Sequence, residues 1–334
     1  MKTAVVLLNY NGKNYLEQFL PLLVAHTPDK ETQIIVADNA STDNSLAFLQ
    51  ANYPHIRCIE LSENYGFAEG YNKALKEIDA EYYLLLNTDV AVTENWLSPM
   101  VEFLDKNPDV AACQPKIRSY HEPEKFEYAG AAGGFIDKLG YVYCRGRIFT
   151  TLEEDKGQYD TVCDVFWATG ACFLLRSTEF WASGAFDGNF FAHQEEIDLC
   201  WRLHSRGKRV VCLPQSMVYH VGGGTLNTEN PMKTFLNFRN NLLMLYKNLP
   251  EKELRKTMFF RWILDYFASF VMWLQGKTAN AKSVWEARKE YRRTKYLFKR
   301  KPALQRNPLM LNGWLLYHYH IMRKKTYLEL SLRV

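Results

Sequence analysis

A doubly wound α/β fold on a parallel sheet, followed by a basic and aromatic helical appendage, is predicted for this chain by three observations. Four short apolar runs, Ala4 to Leu8, Gln33 to Ala37, Ile56 to Leu61 and Tyr82 to Leu86, alternate with segments of helical periodicity. The segments between them, Tyr15 to Ala25, Ser45 to Asn52 and Ala68 to Ile78, each follow a loop rich in Asn, Asp, Ser or Gly, so polar loops gather at the carboxyl edge of the strands. From Pro231 onward the composition turns basic and aromatic, which divides the chain into residues 1–231 and 232–334.

Beyond the fourth strand, Glu94 to Lys106 predicts a helix and Asp109 to Ile117 a strand, while residues 120–160 show no clean period and read as irregular. Asp164 to Arg176 predicts strand, turn and strand around Thr169-Gly170. Glu195 to Arg206 predicts a helix closed by Gly207, and Lys208 to Leu213 a strand ended by Pro214. No internal repeat or low-complexity tract is present.

With 334 residues, 47% of them hydrophobic, the chain can bury a large core, which excludes a disordered protein. The net charge of +4 conceals an asymmetry: residues 1–231 hold 19 Lys and Arg against 31 Asp and Glu, residues 232–334 hold 22 against 6. A basic tail suits nucleic acid, an acidic protein or anionic lipid, and the aromatics interleaved with it favour lipid. Thr257 to Leu274 is about as long as a membrane span but carries Arg261 and Asp265, which predicts a helix lying in the interface of the inner membrane rather than crossing it. The same pattern also suits a helix packed on the first domain, or paired with its own copy. Seven cysteines without a C-x-x-C pair predict reduced thiols and a cytoplasmic protein. The apolar stretch at the N-terminus is too short for a signal peptide and reads as the first strand.

Asn87-Thr88-Asp89 directly follows the run Tyr82 to Leu86, so a carboxylate stands at a strand end where ligands bind. A leaving diphosphate needs a divalent cation, and such cations take carboxylate and phosphate oxygens together. His220, in a stretch running to Gly222-Gly223-Gly224, is a second candidate ligand, or else a structural hydrogen bonder. Asp38, at the end of the second run, is placed to accept a hydrogen bond from a uracil or thymine imide, with Tyr10 stacking on that base. Ser41, Thr42 and Asp43 read as caps for the next helix. Asn64, Gly66, Phe67 and Asn72 flank a loop-to-helix junction where backbone can approach a ribose or diphosphate. Glu195-Glu196-Ile197-Asp198 opens a helix with more acid than capping requires, and one carboxylate is a candidate general base.

Taken in order, Asn9-Tyr10-Asn11-Gly12, Asp38 to Asp43, Asn64-Tyr65-Gly66-Phe67, Asn87-Thr88-Asp89, Trp167-Ala168-Thr169-Gly170-Ala171, Glu195 to Asp198 and His220 resemble family 2 glycosyltransferases of the rhamnosyltransferase-like kind, from residue 3 to about 248. The resemblance implies a GT-A fold (a Rossmann-like nucleotide-diphospho-sugar transferase core), an inverting transfer, and a divalent cation, Mn2+ or Mg2+. The donor it implies is a UDP- or dTDP-sugar, with dTDP-rhamnose as the analogue, and the acceptor a glycan or lipid-linked saccharide. It places Asn9, Tyr10, Asp38, Asn64, Gly66, Phe67, Asn72, Asn87, Thr88 and Asp89 around the donor, and Asp89 and His220 on the metal. Glu196 becomes the base, and Trp167, Thr169, Gly170, Glu195 and Asp198 fall around the acceptor. Asn237, Arg239 and Asn240 match a polar cluster just beyond the core. Two departures stand out: Glu195-Glu196 replaces the usual Glu-Asp, and Asn87 replaces the first acid of the D-x-D element. A nucleotidyltransferase would want a basic glycine-rich phosphate loop near the first strand, where only Lys13 stands; a non-catalytic nucleotide-sugar binder or membrane-surface scaffold would not need Glu196.

Overall fold

The computed structural model describes residues 1–27, 30–222, 230–300, 302–303 and 305–331. Its first half alternates strand and helix: β1 (Thr3–Asn9), α1 (Lys13–His26), β2 (Thr32–Asp38), α2 (Ser45–Asn52), β3 (Arg57–Glu60), α3 (Gly66–Lys76) and β4 (Tyr82–Leu86). β1, β2, β3 and β4 pair in parallel, with β1 between β2 and β4. Most of their Val, Ile and Leu side chains are buried, on both faces of the sheet, as a sheet covered on both sides requires.

The short strand β5 (Val90–Val92), helix α4 (Ser98–Lys106) and strand β6 (Val110–Ser119) follow. Residues 120–160, expected to be irregular, contain β7 (Gly134–Ile136), β8 (Val142–Cys144), β9 (Arg147–Ile148) and β10 (Thr151–Leu152), which form a separate antiparallel sheet. These strands are two or three residues long, too short to impose a period on the sequence. Then come β11 (Cys163–Asp164), β12 (Cys172–Arg176), α5 (Ser177–Ala182), α6 (Glu195–Ser205) and β13 (Arg209–His220).

The main sheet runs β11-β13-β6-β12-β4-β1-β2-β3, with β5 added on β13. It is mixed rather than wholly parallel: β12 is antiparallel to both β4 and β6, and β13 is parallel to β6. β13 also runs past Pro214, where a strand end is expected. The proline falls in a register shift between Leu213 and Met217, the kind of irregularity at which a strand can lack an N–H donor. Because β13 continues to His220, that residue reaches the same sheet edge as the end of β4.

One core lies between the sheet and α1, α2 and α4, built on residues such as Leu16, Leu49 and Met100. The other lies under α3 and α6 and takes in Leu242, Leu243 and Leu245 of α7 (Pro231–Asn248). Helices α8 (Glu251–Leu274) and α9 (Thr278–Thr294) pack against α7 and each other. Among the described residues no helix is long and apolar enough to cross a membrane. All seven cysteines are unpaired.

Candidate active site

The carboxyl ends of β1 and β2 are tied together by side chains. Asn9 Nδ2 donates to Asp38 Oδ1 at 2.8 Å, and Ser41 N–H donates to Asp38 Oδ2 at 2.8 Å. Asp38 is 1% exposed, and each of its oxygens holds one protein donor and retains a further lone pair. Asn9 Oδ1 is buried without a partner. Tyr10, beside it, is 42% exposed. Of the expected caps, Asp43 accepts from Ser45 N–H at 3.0 Å and from Lys13 N–H at 3.0 Å, so it joins the starts of α1 and α2. A Cβ built on Gly12 would lie 2.4 Å from Asn9 Oδ1 and 3.4 Å from Thr88 Oγ1, which puts Thr88 beside this loop.

The start of α3 is fastened to the segment that precedes α6. Gly66, at φ +72°, presses on Phe191: a Cβ there would come within 2.6 Å of the Phe191 carbonyl oxygen. Phe67 N–H and Ala68 N–H donate to that same oxygen at 2.6 and 3.1 Å. Asn64 Oδ1 accepts from Gly66 N–H at 2.9 Å and from Asn39 Nδ2 at 3.1 Å. Asn72, expected at the donor, spends its amide elsewhere: Nδ2 donates to Phe186 O and Oδ1 accepts from Phe186 N–H. It anchors the segment from 186 onward.

At the ends of β4 and β13, His220 Nε2 stands 3.1 Å from Asp89 Oδ1, and Asn87 Nδ2 stands 3.5 Å from the same nitrogen. Behind the ring, Nδ1 lies 3.3 Å from Glu127 Oε2, and all three groups are buried. Burial alone would push the imidazole down, but hydrogen bonding and charge from Asp89 and Glu127 raise it to about 10. A cation and a proton therefore compete for Nε2. The pair fits a divalent ion, since two adjacent ligands on an octahedral ion at about 2.1 Å stand about 3 Å apart. Among the described residues no three His, Cys, Asp or Glu side chains are gathered to hold a metal by themselves, so remaining ligands would come from a bound diphosphate and water. With an ion on Nε2, Glu127 would take the outer place of a carboxylate–histidine–metal arrangement. Sequence reading missed it, because it lies in the stretch without a period and its role comes from a distant strand. Gly223 and Gly224 lie outside the described residues.

The head of α6 holds two acids with buried, unpartnered oxygens, Oε2 of Glu195 and Oε2 of Glu196. Burial raises Glu196 to about 7; burial and the charge of Glu196 raise Glu195 well above the ordinary range. Asp198, expected among acceptor contacts, is instead sealed into the interface of α6 with α7. Its carboxylate accepts from Lys247 Nζ at 2.9 Å, Arg202 Nε at 2.9 Å and Asn248 Nδ2 at 2.8 Å.

The backbone leading to these acids is unusual, with Phe191, His193 and Gln194 at φ 65°, 70° and 75°. α7 holds it in that shape. Asn240 Nδ2 donates to Phe190 O at 2.9 Å, and to Ala192 O and His193 O at 2.8 Å. Arg239 Nη2 donates to Asn189 O and Phe190 O, and Asn241 Nδ2 to Gln194 Oε1 at 3.1 Å. Asn237, by contrast, bonds back within its own helix to Lys233 O.

On the neighbouring turn, Trp167 is buried with Nε1 donating to Phe135 O at 3.0 Å, its indole lying where any Cβ on Gly134 would have to go. Thr169 N–H donates to Gln114 Oε1, and Thr169 Oγ1 accepts from Ala171 N–H. Asn87 N–H donates to Ala171 O, so this turn sits against the end of β4. A Cβ on Gly170 would lie 2.9 Å from Phe67 Cζ, which joins it to the start of α3.

The sequence profile of Glycosyl transferase family 2 matches residues 4–176, just over half of the chain. The chain is 26% identical over 234 residues to an N-acetylglucosaminyl-diphospho-decaprenol L-rhamnosyltransferase of Mycobacterium tuberculosis, covering 65% of this chain and 75% of that one. It is 24% identical over 228 residues to rhamnosyltransferase WbbL of Escherichia coli, covering 65% and 82%. In fold it is similar to GalNAc-T7 solved with UDP, GalNAc and Mn2+, at TM-score 0.59 and 14% identity, covering 87% of this chain and 54% of that structure. The mixed sheet with its polar carboxyl edge is thus a GT-A fold, and the chain belongs to glycosyltransferase family 2.

Proposed function

We propose that this glycosyltransferase moves a sugar, with inversion, from a UDP- or dTDP-sugar, dTDP-rhamnose foremost, to a hydroxyl of a glycan or lipid-linked saccharide in surface polysaccharide synthesis. The observation that carries this reading is the buried Glu196 carboxylate, raised to about 7 with its Oε2 unpartnered, in a chain that also brings Asp89 and His220 together at the ends of β4 and β13. Further support comes from the M. tuberculosis relative, whose name describes rhamnosyl transfer to a diphospho-decaprenol saccharide. The GalNAc-T7 structure holds UDP and Mn2+.

In this mechanism the exposed Tyr10 ring stacks on the nucleobase, and the free lone pairs on Asp38 accept from its imide. Asn9, Thr88, Asn64, Gly66 and Phe67 shape the walls around the ribose and diphosphate. Asp89 and His220 hold a divalent cation, Mn2+ or Mg2+, which when bound neutralises charge on the leaving diphosphate. Glu196 takes the proton from the acceptor hydroxyl as its oxygen bonds to the anomeric carbon. The bond from that carbon to the diphosphate oxygen breaks on the opposite face, which inverts the centre. Glu195 stays neutral beside Glu196, so the pair does not carry two adjacent charges. Trp167, Thr169 and Gly170 brace the acceptor side, and the C-terminal region keeps the enzyme at the inner face of the membrane.

The test is thermal unfolding with Mn2+ and, separately, UDP, dTDP, GDP, CMP and ATP, since a ligand of the folded state raises the midpoint. A metal-dependent shift with UDP or dTDP alone is expected. Equal shifts with all five nucleotides, or none with any, would overturn the donor assignment. Glu196→Gln should keep the shift and lose turnover.

A further inference from the structure

We infer that α8 lies in the plane of an anionic lipid surface, inserting an aromatic face while α9 supplies a basic flank; this deepens the membrane part of the function proposed above. The helix is inside-out. Its protein-facing side is polar, with Thr257, Arg261, Asp265 and Ser269 all buried, while Phe259, Trp262, Ile263, Phe267, Phe270 and Trp273 are exposed at helical spacing. Phe267 and Trp273 are 63% and 58% exposed. A water-facing helix normally has the opposite pattern.

The polar side cannot roll outward, because its groups are matched within the protein. Arg261 Nε bonds Asp265 Oδ1 at 3.1 Å, Arg288 Nη1 of α9 bonds Asp265 Oδ2 at 2.5 Å, and Ser269 Oγ donates to Ala281 O at 2.9 Å. The aromatic side is therefore held outward by ion pairs that would be costly to break. It is too large an apolar surface for single exposed residues to account for.

Charge selects the occupant. Trp285 of α9 touches Tyr266 of α8 with ring centroids 4.4 Å apart, and Lys282, Lys289 and Arg292 share its exposed helical face. One of these, Lys282, is 3.6 Å from Glu286; the stripe remains basic. An apolar, Trp-bearing face beside a basic stripe provides the two signals that stable surface attachment requires. The helix is also braced on the catalytic segment: Arg261 Nη1 donates to Leu139 O and to Asn241 Oδ1, and Asn241 reaches Gln194, next to Glu195.

The test uses the full chain with phosphatidylcholine vesicles, with and without phosphatidylglycerol, read by co-sedimentation and by tryptophan emission, alongside sugar transfer to a water-soluble acceptor. Sedimentation with the phosphatidylglycerol vesicles only, a blue shift on binding, and about a tenfold or greater loss of binding in the Phe267→Ser, Trp273→Ser double variant are expected, with soluble-acceptor activity unchanged. Transfer without any vesicle binding would overturn the lipid face and leave the catalytic reading intact; binding without transfer would do the reverse. A concentration-dependent dimer in the parent that the double variant dissolves would assign the face to a second copy and overturn the proposal.

Discussion

Removing the Asn240 amide tests whether α7 sets the position of the base. In Asn240→Ala, the carbonyls of Phe190, Ala192 and His193 lose a donor at 2.8–2.9 Å. With about 1 kcal/mol net per bond and more for an acceptor left buried, the loss is roughly 2–4 kcal/mol. The segment it holds contains three non-glycine residues at positive φ, each costing about 1–2 kcal/mol relative to right-handed backbone. The clamp and the strain are therefore of similar size, so the segment relaxes when the clamp goes. The head of α6 follows, since Gln194 is its cap residue. A displacement of about 1 Å at the reacting groups is worth about a hundredfold in rate. We expect kcat to fall by about that factor with donor KM within about threefold, because Asp89 and His220 are on other elements. Steady-state kinetics with thermal midpoints measure both, and Asn240→Gln, which keeps the amide, should recover part of the rate. A kcat within about threefold of the parent in Asn240→Ala would refute the reasoning.

Glu196 must be ionised to act as a base, so kcat/KM should rise with pH through about 7, and Glu196→Gln should lose that limb and about 10²–10⁴-fold in rate. The raised value has a stability consequence of definite sign: the folded state binds this proton more tightly, so stability present at low pH is lost as pH rises through about 7, and the variant's thermal midpoint should lack that slope. Glu127→Gln should weaken Mn2+ binding about 10–100-fold, read from the Mn2+ dependence of the UDP-induced thermal shift; an unchanged dependence would remove Glu127 from the metal's surroundings. Asp198→Asn leaves Arg202 without its carboxylate and Lys247 with Asp187 alone, and should cost about 3 kcal/mol by urea unfolding, whereas an unchanged midpoint would mean the cluster contributes nothing.

The run from β1 to β4 is legible element by element, because a strand buried on both faces, as β1 and β4 are, must be apolar and the loops at its end must carry turn and ligand chemistry. Hence Asp38, Asn64 and Asp89 stand at the sheet edge that local pattern assigns them, while Asp198 of α6 turns away to Lys247. The short strands of residues 120–160 and the passage of β13 through Pro214 were not legible, since both depend on partners supplied by other strands.

The sequence by itself determined the α/β core, the polar edge where chemistry takes place, the acidic and basic halves of the chain, and the residue types available for metal, base and nucleobase. Only the tertiary structure decided which of those groups meet. Glu127 comes to lie behind His220, Asp198 turns from the acceptor to Lys247, and Asn240 closes on the segment before Glu195. It also decided that α8 faces outward with its aromatics, because Arg261 and Asp265 find Arg288 and Asn241 in the protein. Periodicity shows that a helix has two faces, but which face is buried depends on whether the polar one can satisfy its charges inside, and that depends on groups brought together only by the fold.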